Sequence, residues 1–287
     1  MQTSGTSARQ AVREAAVELE RAGVPEPAAA AEVLLAELIG AGRAEILLGH
    51  HLLSEEQTSV YESWVRRRRA REPVQRILGY EYFRHLKLEL TDGTLIPRPE
   101  TESVVDAALE RIDRRPGPCR VLDVGTGSGA IAVSIAQERP RCDVHATDIA
   151  EAATRIARRN ARAAGTKVHF YHGDLVSGLE SLHGKISLLV SNPPYVRSGD
   201  LRHLAPEVCD WDPPEALDGG EDGLFFYRRI FDEVEPLLET SADVVLETGD
   251  GQAEEVLEIG RESGFRPLGI RPDLTGKPRM VLLQWNG

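Results

Sequence analysis

The chain is poor in cysteine and aromatic residues and carries no long apolar run. Three cysteines among 287 residues, Cys119, Cys142 and Cys209, are too few and too scattered for a disulfide framework or a zinc cage. The longest stretch without a charge, residues 124–137, falls short of the roughly 20 apolar residues that span a bilayer. The first nine residues lack the apolar core of a secretory signal. These scarcities argue against secretion, membrane insertion and a structural metal, and make the cytoplasm the expected compartment. Basic residues are also in deficit: 34 Lys+Arg face 46 Asp+Glu, a net charge of −12. The shortfall is uneven. Residues 1–79 hold 10 Lys+Arg and 11 Asp+Glu, a net of −1, and the remainder holds 24 against 35, a net of −11. Nucleic-acid binding draws most of its affinity from Lys and Arg contacts to phosphate. A protein or small-molecule substrate is therefore expected, with no direct nucleic-acid contact.

What is present divides the chain by periodicity. Residues 11–22 have a helical pattern that stops at Gly23, and Pro27 opens a second helix that ends near Gly40. Ser54-Glu-Glu-Gln57 is a capping box ahead of a helix running to about Ala70, with Val60, Trp64 and Val65 facing a small core. Residues 1–79 thus predict a helical bundle without strands. His50-His51 fits a loop between helices. Residues 83–90 alternate apolar and charged side chains, a half-buried strand, and Asp92-Gly93 is a turn signal. Residues 80–95 accordingly predict a β-hairpin linker. From residue 96 onward a helix near 104–112 leads into strand–helix alternation. Strands are expected at 120–124, 143–147, 168–171, 186–190, 242–246 and 280–285, and helices at 130–137, 152–164, 224–238 and 252–263. Such alternation predicts a doubly wound α/β domain on a parallel sheet.

The turn out of the first of these strands is Gly125-Thr126-Gly127-Ser128-Gly129. Glycines let the backbone bend sharply and approach a ligand, and the following helix offers free N–H groups. Gly125-x-Gly127-x-x-Ala130 also satisfies the dinucleotide fingerprint, so a nicotinamide-dependent oxidoreductase competes at this point. Asp148 follows the second strand. It is placed to accept from both hydroxyls of a ribose, or to cap the next helix. Asp174 ends the third strand in the same way, facing an adenine amino group or capping a helix.

The fourth strand ends in Ser191-Asn192-Pro193-Pro194-Tyr195. Two prolines cannot continue a strand and bring no N–H. They fix the carbonyls of Asn192 and Pro193, and the Asn192 side chain adds another acceptor. Tyr195 offers a flat face. Paired acceptors beside a flat face suit a planar –NH2 group whose lone pair must point at an electrophile. The oxidoreductase alternative leaves this tetrapeptide unexplained.

Taken together, the sequence resembles class I S-adenosylmethionine-dependent methyltransferases. It resembles more narrowly the HemK/PrmC family, which methylates the N5 atom of a glutamine in peptide chain release factors. The resemblance is carried by Glu72-Pro73 with Ile77-Leu-Gly79 and by Leu95-Ile-Pro-Arg-Pro-Glu-Thr-Glu102. It is carried further by the glycine loop, Asn192–Tyr195, and the segments 216–224, 247–252 and 273–276. It implies a Rossmann-like fold behind a small helical substrate-recognition domain. It also implies a methyl donor on Gly125, Thr126, Gly127, Ser128, Gly129, Asp148, Asp174 and Leu175, and an acceptor amide held by Asn192, Pro193, Pro194 and Tyr195, with Asn192 also touching the donor. The implied substrate is the glutamine of a Gly-Gly-Gln motif, the implied cofactor S-adenosylmethionine, and the implied enzyme a monomer without metal or dedicated base. Asn-Pro-Pro-Tyr is shared with methyltransferases of nucleic-acid amino groups, which remain the first rival; a silent binding module is another. Asp212-Pro-Pro-Glu215 departs from the family's more usual Glu-Pro, and Leu175 stands where some relatives have an aromatic residue. Arg66–Arg71 is either a solvated basic face or a docking patch for an acidic surface of the release factor. Trp211, Phe225 and Phe226 read as core or lid packing.

Overall fold

The computed structural model describes residues 6–48 and 51–287. Residues 1–5 and His50 of the expected interhelical His50-His51 loop lie outside the described residues. The chain forms two units, Met1–Tyr80 with Ala205–Trp211, and Glu81–Leu204 with Asp212–Gly287.

In the first unit, Ser7 caps α1 (Ala8–Arg21) by accepting from the Gln10 N–H at 3.2 Å. α2 (Pro27–Ile39) opens on its proline and closes on Gly40 at φ +64°. α3 (Arg43–Leu48) and α5 (Val74–Leu78) flank α4 (Glu55–Arg69). The capping box is complete: Gln57 N–H donates to Ser54 Oγ at 3.1 Å and Ser54 N–H to Gln57 Oε1 at 3.0 Å. Leu19, Leu34, Leu35 and Ile46 are fully buried between these helices. The Tyr61 hydroxyl donates to the Ala31 carbonyl at 2.9 Å, which satisfies its polar tip inside that core.

Most of the arginine run at the end of α4 is used internally. Arg67 pairs with Glu72 and Arg69 with Glu18. Arg68 and Arg71 close on Glu207, at 2.8 and 2.6 Å, within the Ala205–Trp211 segment that belongs to this unit. Arg66 is left with Glu62 at 4.0 Å. Arg68 and Arg71 are thus committed within the unit, while Arg66, Arg67 and Arg69 keep about half their side-chain surface exposed.

The second unit begins with a hairpin, but not the one expected. Residues 83–90 are not one strand: β1 (Tyr80–Phe83) and β2 (Leu86–Glu89) pair across a turn at Arg84-His85. Arg84 takes φ +52°, a left-handed conformation unfavourable for a side-chain-bearing residue. Tertiary contacts hold it there, with its N–H on Glu102 and its guanidinium on Glu138 and Asp106. Asp92-Gly93 is a turn that follows β2 rather than the hairpin's own.

α6 (Thr101–Asp113), β3 (Arg120–Val124), α7 (Ala130–Glu138), β4 (Asp143–Asp148), α8 (Glu151–Ala163), β5 (Val168–His172) and β6 (Ile186–Ser191) follow in order. α9 (Pro206–Cys209) lies in the segment given to the first unit. α10 (Phe225–Val234), β7 (Leu238–Glu247), α11 (Ala253–Glu262), β8 (Phe265–Pro272) and β9 (Pro278–Trp285) complete the chain. The sheet runs β5-β4-β3-β6-β7-β9-β8. Five strands are parallel, but β9 is antiparallel to β7 and to β8, so the sheet is mixed rather than wholly parallel. The expected helix 224–238 stops at Val234, because Pro236 cannot continue it.

Alternate residues of the strands feed two cores. Val121, Val144, Leu188 and Val190 pack with α6, α7 and α8, while Leu122, Val124, Leu189 and Leu246 pack with α10 and α11. β3 and β6 are neighbours although two strands separate them in sequence. The order of the sheet therefore reverses between them, and their carboxyl ends open the crevice where such folds bind ligands. The Ser191 hydroxyl donates to the Val124 carbonyl at 2.6 Å, tying those two ends together.

Candidate active site

The glycine loop leaves β3 with Gly125, Gly127 and Gly129 at φ +73°, +57° and +87°. A Cβ on Gly129 would lie 3.1 Å from the Ala157 side chain, so the third glycine lets α7 start close against α8. Beneath the loop, Asp123 is fully buried and accepts from Thr126 Oγ1 at 2.7 Å and the Ala132 N–H at 3.2 Å. Burial pushes its carboxyl up to about 7, partly offset by those two bonds. Ser128 is buried, and its carbonyl accepts from Asn160 Nδ2 at 2.9 Å.

Asp148, at the end of β4, is joined to the loop. Its Oδ2 accepts from the Gly127 N–H and its Oδ1 from the Ala150 N–H, each at 2.8 Å. Burial raises its pKa against these bonds. Asp174, after β5, receives both Nη atoms of Arg229 on α10, at 3.1 and 3.0 Å. The next residue, Leu175, holds φ +46° without being glycine, a strained conformation of the kind that clusters at functional sites.

The tetrapeptide after β6 is braced from behind. Asn192 Nδ2 donates to Thr101 Oγ1 at 3.2 Å, and Thr101 Oγ1 donates to Glu247 Oε2 at 2.7 Å. Glu247 is 1% exposed. Burial pushes its carboxyl up to about 7, with the Thr101 bond and the charge of Arg279 pulling the other way. At the other end, Gln252 Nε2 donates to the Tyr195 carbonyl at 3.0 Å while its Oε1 accepts from the Gly249 N–H at 2.9 Å. A Cβ on Gly223 would stand 2.5 Å from that same Tyr195 oxygen, and one on Gly219 would stand 2.7 Å from Tyr195 Cα. The segments 216–224 and 247–252 are thus backbone packed onto the tetrapeptide.

These strand ends meet around one cavity of about 710 Å³. Of the residues singled out from sequence, Gly125, Gly127, Asp148, Asp174, Leu175, Asn192, Pro193 and Pro194 line it. Thr126, Ser128, Gly129 and Tyr195 do not: the first three shape the loop, and the Tyr195 ring packs against the core. Sequence reasoning missed Ile149, Thr94 and Arg229, which also line the cavity, as does Leu95 at the start of the segment 95–102. It set Phe226 aside as packing, yet that ring forms part of the wall. Ile149 is 62% exposed, and the signal the sequence held for it was an apolar residue directly after the strand-end acid Asp148. The acid of Asp212-Pro-Pro-Glu215 is buried and bonded to Arg98, whose own segment runs into α6.

Residues 10–79 match the PrmC N-terminal domain and residues 106–207 the methyltransferase small domain. Release factor glutamine methyltransferase of Streptomyces coelicolor is 41% identical over 273 residues, covering 94% of this chain and 95% of its own. That of Bacillus cereus is 38% identical over 259 residues, covering 89% and 92%. The crystal structure of a methyltransferase from Pyrococcus furiosus superposes with a TM-score of 0.52 at 19% identity, over 70% of this chain and 90% of that one, a likeness of fold. With relatives this similar over nearly their whole length, the chain belongs to the release factor glutamine methyltransferase family.

Proposed function

We propose that the chain transfers a methyl group from S-adenosylmethionine to the side-chain amide nitrogen of the Gly-Gly-Gln glutamine in a peptide chain release factor. One observation carries the reading. The acceptor oxygens of Asn192 and Pro193 share a cavity with the glycine loop and Asp148, so an amide and a nucleoside-bearing donor would be held side by side. The names of the relatives, release factor glutamine methyltransferase, agree with it.

The residues fit the donor. A Cβ at Gly125 or Gly127 would meet nothing within 4 Å, so open space lies over the loop. An ionised carboxylate offers about four acceptor sites. Asp148 therefore keeps lone pairs for ribose hydroxyls after binding Gly127 and Ala150, and Asp174 keeps some for an adenine amino group after binding Arg229. Ile149, Leu175 and Phe226 supply apolar surface for a flat base. The bound cofactor supplies the electrophilic methyl on a sulfonium.

The chain's own residues orient and polarise. Asn192 Oδ1 and the Pro193 carbonyl accept the two N–H groups of the substrate amide. The amide nitrogen is thereby turned so that its lone pair faces the methyl. Orientation is the larger effect, because a delocalised amide nitrogen attacks only when aligned. The same acceptors become more favourable as positive charge develops on that nitrogen. The N-methylated cationic amide is a strong acid, so proton loss needs no dedicated base. The test is mass spectrometry of an unmethylated release factor incubated with the protein and S-adenosylmethionine. One methyl should appear on the Gly-Gly-Gln glutamine, and Asn192→Ala should cut turnover by more than about tenfold, or 1.4 kcal/mol. No methyl on that glutamine, with the donor still bound, would refute the assignment.

A further inference from the structure

The brace behind Asn192 sets the direction of its amide. A threonine hydroxyl has one proton to give. Thr101 gives it to the buried Glu247 carboxylate at 2.7 Å, so toward Asn192 it can only accept, which it does from Nδ2 at 3.2 Å. The Asn192 oxygen is left to face the cavity, and among the described residues no group donates to it.

We infer that Glu247 is a positioning residue that acts through Thr101 to present the Asn192 side-chain oxygen to the substrate, and that protonating Glu247 releases this orientation. A protonated Glu247 donates to Thr101 Oγ1. The threonine proton is then free to bond Asn192 Oδ1, the amide turns over, and its NH2 group meets the substrate instead of an acceptor. The catalytic consequence rests on the proposed methyl transfer; the orientation of the amide does not.

The surroundings favour a carboxyl that titrates within the working range. Arg98 and Glu100 face it from the segment before α6, Arg279 from β9, Tyr195 from the tetrapeptide and Tyr227 from α10. Arg98 is spent on Asp212, and Arg279 on Asp273 and the Thr248 carbonyl. The Tyr227 hydroxyl donates to the backbone carbonyl of Glu247 at 2.8 Å rather than to its carboxylate. The two cations therefore act on Glu247 by charge and leave Thr101 as its hydrogen-bonding contact toward Asn192.

Two readouts on the full chain test this. In the first, the side-chain amide resonances of Asn192 are followed against pH without substrate. They should move with a midpoint near 7 in the parent and stay fixed in Glu247→Gln and in Thr101→Val. An amide that does not titrate in the parent, or that titrates unchanged in both variants, overturns the inference. In the second, turnover is measured against pH. The parent kcat should fall as pH drops through that midpoint. Thr101→Val should lower kcat at high pH by about tenfold to hundredfold, as expected for a misplaced reacting group, and flatten the limb. Thr101→Ser should restore both, with donor affinity unchanged throughout. A Thr101→Val enzyme with the parent's kcat and pH limb overturns the inference. A parent that methylates no release factor would sink the proposed function alone, since the resonance titration still decides this one.

Discussion

At the scale of single residues, Asp148 combines contacts in the way the sequence allowed, where a helix-capping role and a ligand-facing role could hold together. It ties the glycine loop to the next helix through Gly127 and Ala150, and it keeps acceptor sites open to the cavity. Asp148→Ala should therefore weaken S-adenosylmethionine binding by tenfold or more, about 1.4 kcal/mol, in titration calorimetry. Unchanged affinity would remove the ribose from its role. Asp148 and Asn192 were legible because each sits at the carboxyl end of a strand, where pattern alone locates a ligand edge. Thr101 and Glu247 fall in two of the segments that carry the family resemblance, but their pairing across 146 residues forms only through the fold and was not legible. Arg229 escaped notice for the same reason: a helical arginine carries no mark that it will close on Asp174.

At the scale of elements, the tetrapeptide is a strand exit made rigid by its neighbours. Prolines alone limit the torsions of two residues; Gln252 fixes where the exit leads. Gln252→Ala would leave the Tyr195 carbonyl and the Gly249 N–H without that partner, a cost of about 1–3 kcal/mol per orphaned buried group. We expect a lowered urea midpoint together with a kcat loss exceeding the loss in donor affinity. Equal kcat in a destabilised variant would make the staple purely structural. Strands β3 to β7 and, of the helices between them, α7, α8 and α10 were readable from apolar runs and glycine punctuation, whereas the four-residue α9 was not. β8 was not: Phe265-Arg-Pro-Leu-Gly-Ile-Arg-Pro contains Pro267 and Gly269 around a register shift, tolerable only because the strand lies at the sheet's edge. The hairpin turn at Arg84-His85 hid within an alternating pattern, because ion pairs rather than a glycine hold it. α3 and α5, of 6 and 5 residues, are too short to show a helical period.

At the scale of the whole molecule, the first unit is completed by a piece of chain from beyond the Asn192–Tyr195 tetrapeptide. Burial of the Glu207 carboxyl works against its charge, but hydrogen bonds from Arg71 and Arg68 outweigh this and hold it at about 2, below its ordinary 4.5. A depressed carboxyl contributes stability that is present above the unfolded value and lost as pH falls. The contribution of this clamp should therefore fade between about pH 4.5 and pH 2. Glu207→Gln should flatten that portion of the stability curve. At neutral pH it should cost about 3 kcal/mol in urea unfolding, because Arg68, only 5% exposed, keeps a charge without its counter-ion. A variant as stable as the parent would show the clamp to be idle.

That clamp also orders events in time. Arg71 and Glu207 are 136 residues apart. At synthesis rates of about 5–20 residues per second, the arginines wait on the order of ten seconds for their partner to leave the ribosome. By then β3, β4, β5 and β6 have all been made. The helical unit, first to emerge, is thus finished only after most of the parallel strands exist. A chain cut after residue 80 would carry Arg68 and Arg71 with no Glu207 to receive them. Exchanging this unit between relatives would mean carrying Ala205–Trp211 along with the first 80 residues.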